Sequence, residues 1–523
     1  MLQVKNLSVY HNKDLTPLIE NLSFSLRDGD CAAIIGEEGN GKTTLLRILA
    51  GEDTPYVSVT GDIAVSGGAG YLPQELPGEE RRMTAYDFFC QSPAFFEQTP
   101  RELAGLARRL SLPADVFYTE QVMETFSGGE RVKLQLCRLL MGSPALLLLD
   151  EPSNDLDLAT VRWLSGFMAH CPIPMLYVSH DEALLRETAN VILHIERLRR
   201  RQVPRATVYR MDYGTFYTTR LSSMAHQEQV ARKEREEMNK KMERYREIRQ
   251  KVEHSQSAIS RQDPHGGRLL KKKMHAVQSM GRRFEREAEN MTAMPESEEA
   301  IFAKLTCTPQ PPGKVVADIR LPELTVPGRV LARDVRLTVH AGEKVLITGQ
   351  NGAGKSTLLR ALYASLKERG DLHVFYMPQD PCDMLEPDKT PVEMLTVTGD
   401  KEESTKSRVE LGSMKFTPEE MDHPCRGLSG GQKAKLMFLM MARRQPDVLL
   451  LDEPTRNLSP LSGPVTRALF ADYPGCIIAV SHDRLFAAAV FDRAVELTPT
   501  GLHDLTESDT GIARRWSIDS CIP

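Results

Sequence analysis

One long stretch of this chain occurs twice. "ETFSGGERVKLQLCRLLMGSPALLLLDEPSNDLD" at residues 124–157 returns as "RGLSGGQKAKLMFLMMARRQPDVLLLDEPTRNLS" at residues 426–459. The spacing between copies is constant over this part, since 429 − 127, 452 − 150 and 482 − 180 all equal 302 for a serine, an aspartate and a histidine. Earlier landmarks drift, with 379 − 74 = 305 for a glutamine and 355 − 42 = 313 for a lysine, so the length differences lie near the start of each copy. Such self-similarity predicts a tandem duplication of one folding unit. A chain of 523 residues also exceeds what one hydrophobic core usually holds. The reading is a first domain over 1–218, a linker over 219–305, a second domain over 306–505 and a short tail over 506–523.

Within each copy, apolar strands alternate with helices. "CAAIIG" and "KVLITG" are short strands that run into Gly-rich turns. "ALLLLDEP" and "DVLLLDEP" are near-continuous apolar strands, as required where both faces of a parallel sheet are covered. Between the copies the period becomes helical. Met238, Met242, Tyr245, Ile248 or Arg249, and Val252 recur every three or four residues, as do Leu270, Met274, Val277, Gly281, Phe284, Ala288 and Met291 after the break at "SRQDPHGG". Two antiparallel helices joined at residues 263–267 would bury these stripes against each other. The first, over 221–256, would be roughly 50 Å long at 1.5 Å per residue.

The tip of this hairpin is basic. Residues 254–283 hold seven Lys or Arg (Arg261, Arg268, Lys271, Lys272, Lys273, Arg282 and Arg283) against one acid, Asp263, for 7 − 1 = +6. The whole chain is −5, so the remainder carries −5 − 6 = −11. Charge separated in this way points to a polyanionic partner for one segment. No run of about 18 apolar residues and no basic-then-apolar leader is present, which argues against a membrane span or an export signal. Nine scattered cysteines without a C-x-x-C pair fit reduced thiols of the cytoplasm, with neither disulfides nor zinc.

"GEEGNGKTT" at 36–44 and "GQNGAGKST" at 349–357 each satisfy G-x-x-x-x-G-K-[ST] between a strand and a helix. Gly36, Gly39 and Gly41, and Gly349, Gly352 and Gly354, let backbone N–H groups converge on phosphate oxygens at a helix start. Lys42 and Lys355 would reach the β- and γ-phosphates, Thr43 and Ser356 would ligate Mg²⁺, and Thr44, Asn351 and Thr357 complete the loops. Asp150 and Asp452 end apolar strands and would hold Mg²⁺ through water. Their neighbours Glu151 and Glu453 are the candidate general bases for an attacking water. Tyr10 is the candidate stacking partner for the first adenine.

"FSGGE" and "LSGGQ" then resemble the signature sequence of ATP-binding cassette ATPases, and the resemblance covers both copies. It implies an α/β fold of two tandem cassette domains that close head to tail, each ATP lying between one phosphate loop and the opposite signature. Lys42 would face Ser429, Gly430 and Gly431; Lys355 would face Ser127, Gly128 and Gly129. Gln74 in "YLPQE" and Gln379 in "YMPQD" match the glutamines that contact Mg²⁺ or the lytic water, and His180 and His482 in "VSHD" match the histidines at the γ-phosphate. The copies differ in the loop after the Asp-Glu pair, where "SNDLD" has Asp157 and "TRNLS" has Ser459, and in Glu38 against Asn351. The two sites are therefore expected to be inequivalent.

Two cassettes on one chain with a long antiparallel α-helical hairpin linker resemble the ABC-F proteins, ribosome-associated ATPases. The resemblance implies the ribosome as partner, with the hairpin directed towards large-subunit RNA, P-site tRNA and the peptidyl-transferase centre. The basic residues of the tip would neutralise RNA phosphates while Met274 or Phe284 packs the hairpin. Gln74 to Ser127 spans 127 − 74 = 53 residues and Gln379 to Ser429 spans 429 − 379 = 50, which leaves no room for an arm inserted in the first cassette. That armless architecture is similar to the antibiotic-resistance members. The competing class is the ATPase subunit of a transporter working with separate membrane proteins, which shares every motif but needs no basic hairpin. A DNA-repair ATPase would need a far longer coiled coil or zinc-binding cysteines.

Overall fold

The computed structural model describes residues 1–505 apart from 155, 198–202, 258–263, 293, 296–303, 309, 312 and 397. The expected tail at 506–523 and Arg261 lie outside the described residues. The chain forms two compact units: one holds Met1–Tyr213 together with the chain from Glu298 onward, and the other is Gly214–Ser297. No described helix is long and apolar enough to cross a membrane.

The first unit contains the two copies, each built on a six-stranded sheet. In the first copy the strand order is Ala69–Leu72, Leu146–Asp150, Met175–Val178, Cys31–Ile35, Val191–Arg197 and Val203–Tyr209. All neighbours are parallel except the last pair. The second copy repeats this order with Val374–Met377, Val448–Asp452, Cys476–Val480, Lys344–Thr348, Arg493–Thr498 and Gly501–Asp504, again with one antiparallel edge. Leu146, Leu147, Leu148 and Leu149 are all fully buried, as are Val448, Leu449, Leu450 and Leu451. A strand covered on both faces has no polar side to show, which is why these runs read as continuous. Each copy adds an antiparallel sheet: three strands in the first, with Leu2–His11 between Pro17–Leu26 and Val57–Val65, and a hairpin of Val315–Val326 with Arg329–His340 in the second.

The second unit is the expected helical hairpin, with two differences. Its first helix, Tyr213–Ser257, starts eight residues before the expected position 221, because Tyr213 and Phe216 at its start are buried to 0% and 2% exposure. The second helix, Pro264–Glu289, takes in residues 264–267, which the sequence reading gives to the bend; proline at a first helical position loses only an N–H that has no intrahelical acceptor. Val252 and Val277 are buried, and the Tyr245 and Phe284 rings meet edge to face with centroids 6.1 Å apart. Gly281 is required here: a Cβ on it would lie 2.7 Å from the Tyr245 hydroxyl. Ile248 is 41% exposed, so the stripe leaves the seam for one turn, and Arg249 pairs instead with Glu253 at 2.7 Å. Lys241 and Glu287 tie the two helices at 2.9 Å.

Candidate nucleotide sites

Each phosphate loop links a central strand to a helix. Gly41 and Gly354 cap the helices Lys42–Ala50 and Lys355–Lys367 in the left-handed region, at φ 85° and 100°. Gly36 lies so close to the sheet that a Cβ would come within 2.1 Å of the Ile195 carbonyl oxygen. Lys42 Nζ curls back to donate to the carbonyls of Gly36 and Glu37 at 2.7 and 3.0 Å, and Lys355 Nζ does the same to Gly349 and Gln350 at 2.8 and 3.1 Å. The loops thus carry a nearly buried ammonium inside a ring of backbone.

The strand ends bring the acids to these loops. Thr43 Oγ1 donates to Asp150 Oδ1 at 3.2 Å, and Ser356 bonds Asp452 in the second copy. Glu151 is buried and the Glu453 side chain nearly so, and both residues hold positive φ, 48° and 52°. Their backbone N–H groups are tied to the next strand, at the carbonyls of Val178 and Val480. Each side chain then accepts from the backbone N–H of the histidine, His180 or His482, at 3.1 Å. The imidazole Nε2 stands 3.3 Å from Glu151 Oε1 in the first copy and 3.6 Å from Glu453 Oε1 in the second. Burial pushes Glu151 up to about 7 and Glu453 up to about 8, and pushes His180 down to about 4. Asp150 is raised to about 6 by burial and by the charge of Glu151. A carboxyl that titrates near neutrality beside a phosphate loop can take a proton from water.

Both sites are composite. A cavity of about 370 Å³ is lined by Glu38, Lys42, Thr43, Gln74, Glu151 and His180 of the first copy and by Arg456 and Asn457 of the second. A larger one, about 660 Å³, is lined by Lys355, Ser356, Gln379, Asp452, Glu453 and His482 together with Gly128 and Arg131 of the first signature helix. His180 Nδ1 lies 2.8 Å from the Leu458 carbonyl, which makes it the donor and leaves Nε2 facing Glu151. From the first loop, Glu38 Oε2 accepts the Gly431 N–H at 2.6 Å and Glu37 pairs with Lys435 at 3.1 Å. Ser127 and Ser429 cap their helices in reciprocal boxes with Glu130 and Gln432. Gly129 and Gly431 are crowded by neighbours, since a Cβ would lie 2.6 Å from Thr160 Oγ1 and 2.9 Å from the Asn457 carbonyl oxygen.

Tyr10 is not among the residues lining the first cavity; its strand neighbour His11 is, with Leu18 and Tyr56. Successive strand residues face opposite ways, so a shift of one residue moves the aromatic off the site. Asn154 and Arg456 line both cavities and were not singled out from the sequence. They occupy equivalent positions, 456 − 154 = 302, inside the loop whose sequence already differed between copies. Asp157 caps the helix Leu158–His170 by accepting from the Thr160 N–H at 2.8 Å, whereas Ser459 begins a short 3₁₀ turn.

The duplicated sheet, the paired phosphate loops and the opposing signature helices define an ATP-binding cassette ATPase with two composite sites. A family model described as ABC transporter matches residues 19–154 and 332–456. The chain is 30% identical over 524 residues to the tylosin resistance ATP-binding protein TlrC of Streptomyces fradiae, covering 89% of this chain and 92% of TlrC. It is 27% identical over 507 residues to the ribosome protection protein VmlR of Bacillus subtilis, covering 94% and 86%, and 25% identical over 542 residues to ABC transporter F family member 5 of Arabidopsis thaliana, covering 93% and 74%. In fold it is similar to archaeal aABCE1, solved in complex with the ribosomal stalk protein aP1, at a TM-score of 0.58 and 17% identity over 96% of this chain and 90% of that one. The chain belongs to the ABC-F family and hydrolyses ATP.

Proposed function

We propose that this chain is a cytoplasmic, ribosome-binding ATPase whose ATP-bound cassette pair clamps shut and presents the basic hairpin to large-subunit RNA and P-site tRNA near the peptidyl-transferase centre. Hydrolysis reopens the pair and releases it. The purpose is protection of the ribosome from a drug at that centre, or rescue of a stalled one. The observation that carries the reading is the helix Pro264–Glu289, on which Arg268, Lys271, Lys272, Lys273, Arg282 and Arg283 are all exposed. Exposed cations on one rigid element suit phosphate neutralisation, and the likeness to the ribosome protection protein VmlR supports the ribosome as the source of that phosphate.

At each site, Lys42 or Lys355 holds the terminal phosphates, and the signature helix of the other copy closes over them. Glu151 or Glu453 orients the attacking water and accepts its proton, with His180 or His482 beside it. The hydroxyl and carboxyl oxygens of Thr43 with Asp150, and of Ser356 with Asp452, suit a hard cation, with Gln74 and Gln379 also at the cavities. Magnesium bound there supplies charge neutralisation to the phosphates.

The test is sedimentation of the Glu151→Gln, Glu453→Gln double variant with ribosomes in ATP. Expected are retained ATP binding, a loss of turnover of about 100-fold or more, and trapping in the ribosomal pellet. Turnover at the wild-type rate would show that these are not the bases. Fractionation of the trapped protein with membranes in place of ribosomes would favour the transporter-subunit class.

A further inference from the structure

Next to the nucleotide sites, and besides Lys435 with Glu37, two ion pairs cross from one copy to the other. Arg467 Nη1 donates to Glu182 Oε2 at 2.7 Å, and Arg484 Nη1 to Glu187 Oε1 at 2.8 Å. Glu182 and Arg484 are 4% and 8% exposed. Both acids come from the first copy and both arginines from the second.

The duplication makes this division informative. With the constant spacing of 302, Glu182 corresponds to Arg484, Ser165 to Arg467, and Glu187 to Ala489. The helices Glu182–Thr188 and Arg484–Val490 have the same spacing at both ends. The contacts across the seam are therefore made by acids in one half and by arginines in the other; Glu182 also accepts from Arg186 of its own helix at 2.8 Å, which leaves the helix Glu182–Thr188 with two acids against one arginine. Were two first copies to pair by the same geometry, Glu182 would meet Glu187 twice. Two second copies would bring Arg484 against Arg467 twice. The arginine pair would be buried on both sides, and the acid pair would set half-exposed Glu187 against buried Glu182; like charges so placed are unfavourable, the buried pair most of all. Shape agrees with charge. A Cβ on Gly463 would lie 2.8 Å from Glu182 Oε2 and 3.0 Å from Arg467 Nη1, so a side chain there would displace the tips of the pair, whereas the corresponding residue of the first copy is Val161.

We infer that this charge division is a pairing code: it directs the first cassette to the second and excludes closure between like cassettes of two chains. Both helices begin directly after the histidines of the nucleotide sites, His180 and His482, so a faulty pairing also misplaces the catalytic groups.

The test is a cycle of full-length Glu187→Arg, Arg484→Glu and the two combined. Each single change sets like charges face to face within the chain. Each also makes one like pairing between two chains attractive: Glu187→Arg offers a cation to Glu182 of a second chain, and Arg484→Glu offers an anion to Arg467 of a second chain. Each is expected to lower ATP turnover by about fivefold or more, and the combined swap to restore it to within about threefold of wild type. Light scattering in ATP is expected to give twice the single-chain mass for each single variant and the single-chain mass for wild type and the swap. Wild-type turnover in both single variants, a swap no faster than either, or single-chain mass in both single variants overturns the inference. Should a single variant fail to fold, Gly463→Val probes the same contact without changing charge; it is expected to slow turnover about fivefold, and wild-type turnover would count against the code.

Discussion

Glu151 and Glu453 sit in a backbone region that side chains usually avoid, and both do so at the same point of the fold. Strain of this kind, of order 1 kcal/mol or more per residue, persists where neighbours over-determine the backbone, as the bonds to Val178 and Val480 do here. Burial of the two carboxyls has a consequence for stability. The folded protein holds their protons up to about 7 and 8, against 4.5 for an unperturbed glutamate, so between those limits the native state binds more protons than the unfolded chain. Their contribution is thus fully present at low pH and lost as pH rises towards 8. Asp150 acts in the same direction up to about 6, whereas His180, lowered to about 4 from 6.5, acts in the opposite direction below 6.5. The clean window lies above 6.5. Without nucleotide, the melting temperature is expected to fall from pH 6.5 to pH 8, and to fall less in the Glu151→Gln, Glu453→Gln variant. An equal decline in both proteins would assign the effect to other groups.

The hairpin separates what periodicity can and cannot reveal about an element. Replacing Lys271, Lys272 and Lys273 by Ala removes three exposed charges from one helix, so thermal stability should move by well under about 1 kcal/mol. Ribosome affinity should drop, and its dependence on salt should become shallower by up to about 0.7 to 0.9 in log–log slope per lost phosphate contact. An unchanged slope would show that these lysines touch no phosphate. The two helices were legible because Val252, Val277 and Phe284 recur with helical spacing. The early start at Tyr213 was not, since its buried aromatics belong to no heptad-like stripe. Ile248 misled for the converse reason: it has the spacing but is left on the surface. The phosphate loops and Asp-Glu strand ends were legible because their chemistry is local in sequence. Tyr10 is harder to read, because which face a strand residue presents reverses with one residue of offset, and it is His11 that lines the cavity.

For the whole molecule, the two sites are similar in their acids and unlike in their surroundings. Glu38 and Glu37 reach from the first loop to Gly431 and Lys435, while Gln350 and Asn351 occupy the corresponding loop of the second copy. Asp157 and Ser459 add a second difference. Glu151→Gln and Glu453→Gln, made singly, are accordingly expected to reduce turnover unequally, by a factor of about three or more between them. Identical single-variant rates and nucleotide occupancies would make the sites equivalent in function. Contacts such as His180 with Leu458, or Asn154 and Arg456 at both cavities, join residues from different copies, and no periodicity within one copy announces them. The opposed charges of Glu182 and Arg484 carry a genetic consequence. A gene with two related halves is exposed to recombination that copies one half over the other. Here such an event across the segment encoding either helix would set acid against acid or arginine against arginine in the resulting chain, so the duplication carries its own barrier to being made uniform.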